Sequence, residues 1–162
     1  MSSDILIYGA NGYTAELITR LALAEGATPT LAGRNEAKVE AMAKELGFTY
    51  RVFGLDDPRE VDANLENISV VLHCAGPFSR TAKPMAEACI RTKTHYLDIT
   101  GEIAVFEAMA ALDSRAKTAG VMLMPGTGFD VVPSDCLAAH LKSRMPDAVD
   151  LELAFQAVGK PS

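Results

Sequence analysis

Gly9, Gly12 and Ala15 fall three residues apart in "YGANGYTAEL" (residues 8–17), directly after the apolar run "ILIY". Small residues at this spacing, between a strand and a helix, suit the binding of a phosphate chain. The first glycine makes the tight turn, the second lets the backbone approach a pyrophosphate, and the third small residue lets helix and strand pack closely. The phosphates then rest on the helix N-terminus, where free N–H groups and the helix dipole favour negative charge. The pattern is GxxGxxA, one residue longer in its first gap than GxGxxA. Asn11 is expected to tolerate left-handed backbone angles, Thr14 to add a hydroxyl donor, and Tyr13 to complete the set at the helix start. The alternative is a glycine-rich turn that holds no ligand.

A second group is "AGRN" (32–35). In dinucleotide-binding units an acidic residue about 20 positions after the glycines holds the ribose 2′-OH. Here that place is held by Arg34, flanked by Gly33 and Asn35. A carboxylate repels a 2′-phosphate, whereas a guanidinium binds it through a planar fork of donors. The expected cofactor is therefore NADP(H) in preference to NAD(H). The alternative for Arg34 is a solvated side chain near a helix start, and Lys38 reads as helix surface. Asp56 lies where adenine is often found, although an Asp before a proline-led helix also serves as a cap.

Further strand ends carry unusual residues. In "CAGPF" (74–78), Ala75 and Gly76 leave room for ribose and nicotinamide, and Pro77 stiffens the turn. In "YLDITGE" (96–102), Thr100 suits an N-cap and Glu102 the first turn of the helix that follows. The glycine-rich "PGTGFDVVPSD" (125–135) leads into a proline-started helix. Cys74 reads as a small buried residue at a strand end rather than a reactive thiol. His73, His95 and His140 share no spacing. No catalytic residue and no metal ligand set stand out.

The elements that must position these residues alternate along the chain. Strands are expected at 4–8, 28–33, 48–53, 68–75, 94–99 and 121–125. Helices are expected at 13–25, with Leu17, Leu21 and Ala24 on its apolar face, at 35–46, after Pro58, at 81–91, at 103–119 and from Pro133 to Lys142. The strands are nearly continuous in Val, Ile, Leu and Met, which predicts burial on both faces. That is the pattern of an α/β fold with a doubly wound parallel sheet of about six strands and helices on both sides. Residues 149–162 differ. Leu151, Leu153 and Phe155 alternate with polar residues, as in a strand buried on one face. Residues 1–148 are thus read as one cofactor-binding domain. Residues 149–162 are read as the possible start of a second α/β domain missing from this chain, with an edge strand of the same sheet as the alternative.

Composition narrows the partners. A chain of 162 residues holds one well-buried domain. A net charge of -6 argues against a nucleic-acid partner, which needs a basic face. Three cysteines without CxxC spacing argue against a disulfide framework or a zinc site and fit a reducing, cytoplasmic compartment. No apolar run reaches the ~20 residues of a membrane span, and no signal peptide is evident at the N-terminus.

Taken together, "IYGANGYTAEL", "LAGRN", "CAGPF", "YLDITGE" and "GTGFDVVPSD" resemble the N-terminal domain of the saccharopine dehydrogenase-like oxidoreductases, including the trans-acting enoyl reductase subgroup. Ala15 departs from the glycine usual there. The resemblance implies a Rossmann domain binding NAD(P)(H), hydride transfer to a small-molecule substrate of unknown identity, and a second domain that encloses substrate and often makes dimer contacts. It carries over no catalytic residue. The chain is therefore expected to be the cofactor domain of an NADP-dependent oxidoreductase. The competing reading is a non-catalytic NADPH-binding or sensing module that regulates a partner. A short-chain dehydrogenase is discounted, because none of Tyr8, Tyr13, Tyr50 and Tyr96 has a lysine four residues on.

Overall fold

In the computed structural model the alternation becomes one six-stranded sheet in the order β3-β2-β1-β4-β5-β6, with every pairing parallel. The structure describes residues 4–129, 131–154 and 156. The strands are β1 (Ile5–Tyr8), β2 (Thr30–Gly33), β3 (Tyr50–Val52), β4 (Val70–His73), β5 (His95–Asp98) and β6 (Leu123–Met124). The helices are α1 (Tyr13–Ala24), α2 (Glu36–Leu46), α3 (Pro58–Asn64), α4 (Phe78–Thr92), α5 (Ile103–Ala111), α6 (Asp113–Ala119) and α7 (Val132–Arg144).

Strand side chains alternate between two cores. On one face Ile7 and Leu31 pack with Ala15 of α1 and with Val39, Met42 and Ala43 of α2. On the other, Leu6, Tyr8, Val71 and Tyr96 pack with Met85, Ala86 and Cys89 of α4, and with Val105 and Met109 of α5. The chain winds outward from β1 through β2 to β3, returns to β4 beside β1, and continues outward to β6. Adjacent strands that depart in opposite directions leave a crevice at their carboxyl ends.

Local chemistry sets the helix boundaries. The Asn35 side chain accepts from Lys38 N at 3.1 Å to start α2, and Gly47 ends it at φ 74°. The Asp57 side chain accepts from Arg59 N at 2.9 Å, ahead of Pro58 in the first turn of α3. Each follows a known cap preference.

Three expectations change. The apolar face of α1 is turned outward: Leu17 and Leu21 are 53% and 62% exposed, while Ala15 and Thr19 are buried. Ala15 must sit against the sheet for the turn to close, and helical spacing brings Thr19, not Leu17, onto the same line. Thr19 satisfies its hydroxyl by donating to Ala15 O at 2.7 Å. The single helix expected over 103–119 breaks at Leu112, whose N–H bonds Met109 O three residues back, with α6 starting at once. Among the described residues 149–154 and 156 no strand forms. Val149 is 92% exposed, and Phe155 lies outside the described residues. No residue of α7 is buried.

Candidate functional site

The turn after β1 is closed by Gly9, whose φ of 81° favours glycine. A Cβ added there would stand 2.9 Å from the Cβ and the amide nitrogen of Ala75, so Gly9 also lets β1 and the β4 loop touch. The left-handed residue of this turn is Gly9, not Asn11. Gly12 differs. Its φ is -81°, and a Cβ would meet only Gly9 O at 3.2 Å. Gly12 N donates to Gly9 O at 2.9 Å. The amides of Tyr13, Thr14 and Ala15 have no acceptor among the described residues, so α1 begins with free donors beside the crevice.

The crevice is a cleft of about 530 Å³. From the turn it takes Gly9, Asn11 and Gly12, from the end of β2 Gly33, Arg34 and Asn35, and from the β4 loop Ala75 and Gly76. Tyr8 and Cys74 complete the lining. Pro77 lines a neighbouring groove of about 230 Å³ instead, with Leu55, Asp56, Arg80, Thr81 and Pro84. Tyr8, Arg34, Ala75 and Gly76 line both. Thr14 and the 71% exposed Tyr13 line neither. The Asn35 side chain is taken up by its capping bond, whereas the Arg34 guanidinium has no acceptor among the described residues.

Residues missed in the sequence are Tyr8, Arg80, Leu55, Thr81 and Pro84. Tyr8 carried a signal, as the last strand residue before the glycine. Its hydroxyl donates to Phe53 O at 3.0 Å. Burial pushes it up to about 12, against a lowering by Arg34. The Cys74 thiol is likewise pushed up to about 12, first by burial and then by Asp98. Both therefore stay protonated at neutral pH. His95 accepts from Met122 N through Nδ1 at 3.0 Å, and His140 lies on the surface of α7.

Two carboxylates tie the strand-end loops together. Asp98, fully buried, accepts from the Tyr96 hydroxyl (2.6 Å), Thr100 N (3.0 Å) and Gly126 N (2.8 Å). The Glu102 side chain does not act on its own helix. Its two oxygens accept from Phe78 N and Ser79 N, each at 2.9 Å, and so cap α4. Thr100 fills a role near the one expected: its hydroxyl accepts from Glu102 N at 3.0 Å.

His73 is buried between Tyr8, Phe78 and Tyr96, with ring centroids 5.5 to 6.1 Å away, and neither ring nitrogen has a partner. Burial holds the imidazole down to about 3 from its ordinary 6.5. The unfolded chain takes up a proton as pH falls through 6.5, and the folded chain does not until about 3. Stability should therefore drop on acidification across that window and be unaffected above it. His73→Phe should remove about 2 kcal/mol of the loss between pH 6.5 and 5. Urea unfolding at both values checks this; parallel curves for the two proteins would exclude it.

Strand order, cores on both faces of the sheet and a crevice at the β1/β4 junction define a Rossmann-type α/β domain. The family model described as the saccharopine dehydrogenase NADP binding domain matches residues 5–124. The chain belongs to that family. It is 33% identical over 150 residues to a trans-acting enoyl reductase of Mycobacterium leprae (strain TN), covering 88% of this chain and 36% of the relative. It is 27% identical over 161 residues to a saccharopine dehydrogenase-like oxidoreductase of Bos taurus, covering 87% and 38%. The chain thus spans little more than a third of these relatives. Among solved structures, apo saccharopine dehydrogenase (L-Glu forming) from Saccharomyces cerevisiae aligns with a TM-score of 0.75 at 23% identity, over 86% of this chain and 30% of that one. That likeness shows the fold.

Proposed function

We propose that the chain is the NADP(H)-binding domain of an oxidoreductase. The observation that carries this reading is Arg34: an unpaired guanidinium at the end of β2, lining the cleft that the glycine turn opens. The pyrophosphate would lie along Gly9 and Gly12 against the free amides of α1, with Asn11, Tyr13 and Thr14 at its border. The adenosine ribose would lie by Gly33 and Asn35 with its 2′-phosphate on Arg34, and the nicotinamide half would run past Ala75, Gly76 and Pro77. When bound, the nicotinamide supplies the hydride chemistry; the chain's own residues bind and orient it. The oxidoreductase names of the relatives support this role, as does the family description. The substrate is a small molecule, and residues 149–162 would be the start of a second unit. The cytoplasmic setting and a homodimer remain part of this reading.

One observation favours the alternative of a non-catalytic NADPH-binding module. Tyr8 and Cys74, the titratable groups at the strand ends of the main cleft, are both held protonated by burial. Neither can then serve as a base at neutral pH, and the absence of a base from the whole protein would favour a sensing role.

Calorimetric titration tests the cofactor assignment. Arg34→Ala should weaken NADPH by about tenfold or more, the scale of a charge-assisted bond, and leave NADH unchanged. Equal losses for both cofactors would remove the 2′-phosphate from Arg34.

A further inference from the structure

Helix α4 begins without a cap of its own. Its N-cap is Pro77, whose side chain accepts nothing, and its first turn holds no acid. The acceptor comes from the next strand-end loop, where the two Glu102 oxygens take Phe78 N and Ser79 N, each at 2.9 Å. Two oxygens on two consecutive amides fix the direction of the helix start as well as its place. Glu102 is itself held. Its N–H donates to the Thr100 hydroxyl at 3.0 Å, and Thr100 N donates to the buried Asp98 carboxylate at 3.0 Å. The start of α4 is therefore registered to the end of β5.

Between β4 and α4 the chain runs through Cys74, Ala75, Gly76 and Pro77. Cys74 N donates to Tyr8 O at 2.8 Å, which ties the first of these to β1. Past that point the turn is held from α4: the Thr81 hydroxyl donates to Ala75 O at 2.6 Å and to Pro77 O at 3.1 Å. Thr81 belongs to α4, so whatever places the start of that helix also places the turn. The glycine turn after β1 has separate support. Gly9 N and Ala10 N donate to Ala32 O at 2.8 and 3.1 Å, which ties it to β2, and so to Arg34 two residues on, without Glu102.

We propose that Glu102 is a positioning residue for the nicotinamide half of the cofactor. It touches no part of the ligand. Through Phe78 N and Ser79 N it holds Ala75, Gly76 and Pro77 in the shape past which ribose and nicotinamide run. This rests on the cofactor reading above, and it divides the support of the two halves: β1 and β2 hold the adenine end, and the β5 loop holds the nicotinamide end. Without the carboxylate the turn keeps its tie to β1 and loses its register with β5, so the cost falls on one half of the ligand.

The test titrates the intact chain by calorimetry with NADPH and with adenosine 2′,5′-bisphosphate, which carries the adenine half alone. The unmodified chain should bind NADPH more tightly than the bisphosphate. Glu102→Ala should weaken NADPH about tenfold, the scale of a charged hydrogen bond, and change the bisphosphate by less than about twofold. Glu102→Gln keeps one acceptor oxygen and should recover part of the NADPH loss. At saturation, the fluorescence of the bound reduced nicotinamide should move toward that of free NADPH in Glu102→Ala, a change that a weakened helix end alone does not produce. Should Glu102→Ala fail to fold, Glu102→Gln carries the same comparison with a smaller loss. Equal losses for both ligands, or no loss for either, would overturn the proposal. So would equal affinity of the unmodified chain for the two, because the turn would then add nothing. Failure of the unmodified chain to bind either ligand would overturn the cofactor reading itself.

Discussion

Gly12→Val should fold as the unmodified chain does and bind neither NADPH nor NADH. The backbone at Gly12 is ordinary, at φ -81°, and a Cβ there meets only Gly9 O at 3.2 Å. The folding cost is therefore that of a poorer N-cap, about 1 kcal/mol. The binding cost is different in kind. Gly12 lines the cleft where the turn meets α1, so two methyl groups would occupy the path assigned to the pyrophosphate. A loss of about a hundredfold or more is expected for both cofactors, equivalent to roughly 3 kcal/mol. Thermal unfolding and calorimetry on the same preparation separate the two effects. Binding retained within a few-fold would show that phosphate does not pass there. Gly9 cannot serve this purpose, because its φ of 81° and its contact with Ala75 make any substitution a folding defect first.

The largest effect on stability is expected at Asp98. Its carboxylate satisfies three donors in the interior: the Tyr96 hydroxyl and the amides of Thr100 and Gly126. The Tyr96 hydroxyl is held protonated by burial and then by Asp98 itself, so it remains a donor. Asp98→Ala leaves all three without an acceptor. At about 1–3 kcal/mol for each stranded group, the loss is on the order of 3–9 kcal/mol, a large share of the 5–15 kcal/mol typical of a domain. Denaturant midpoints should fall accordingly. A change below about 1 kcal/mol would mean that water replaces the carboxylate and that the two loops carrying Thr100 and Gly126 do not depend on it. Asp98→Asn should fall between, since it keeps one acceptor oxygen.

What the sequence revealed follows from how far apart the relevant residues lie. The β1 turn was legible because its requirements are local: Gly9, Gly12 and Ala15 act within seven residues of one another. Arg34 could be singled out because strand and helix lengths fix its distance from the glycines. The strand alternation was clear because both faces of a parallel sheet are apolar. The outward turn of Leu17 and Leu21 was not legible, because an apolar stripe does not state which face the sheet will take when a small residue competes for it. The role of Glu102 was hidden for another reason. Its partners, Phe78 and Ser79, are 24 and 23 residues away and offer only backbone N–H groups, which leave no mark in a sequence. Arg80 and Leu55 line one groove only because β4 returns beside β1.

The contact between Glu102 and α4 has an electrostatic consequence. Two helices begin near the carboxyl ends of the central strands, α1 after β1 and α4 after β4. Each would ordinarily attract an anion. The Glu102 carboxylate already neutralises the start of α4, while the first amides of α1 remain unoccupied among the described residues. Of these two helix starts, only that of α1 is left open to an anion. The chain closes the other with its own charge.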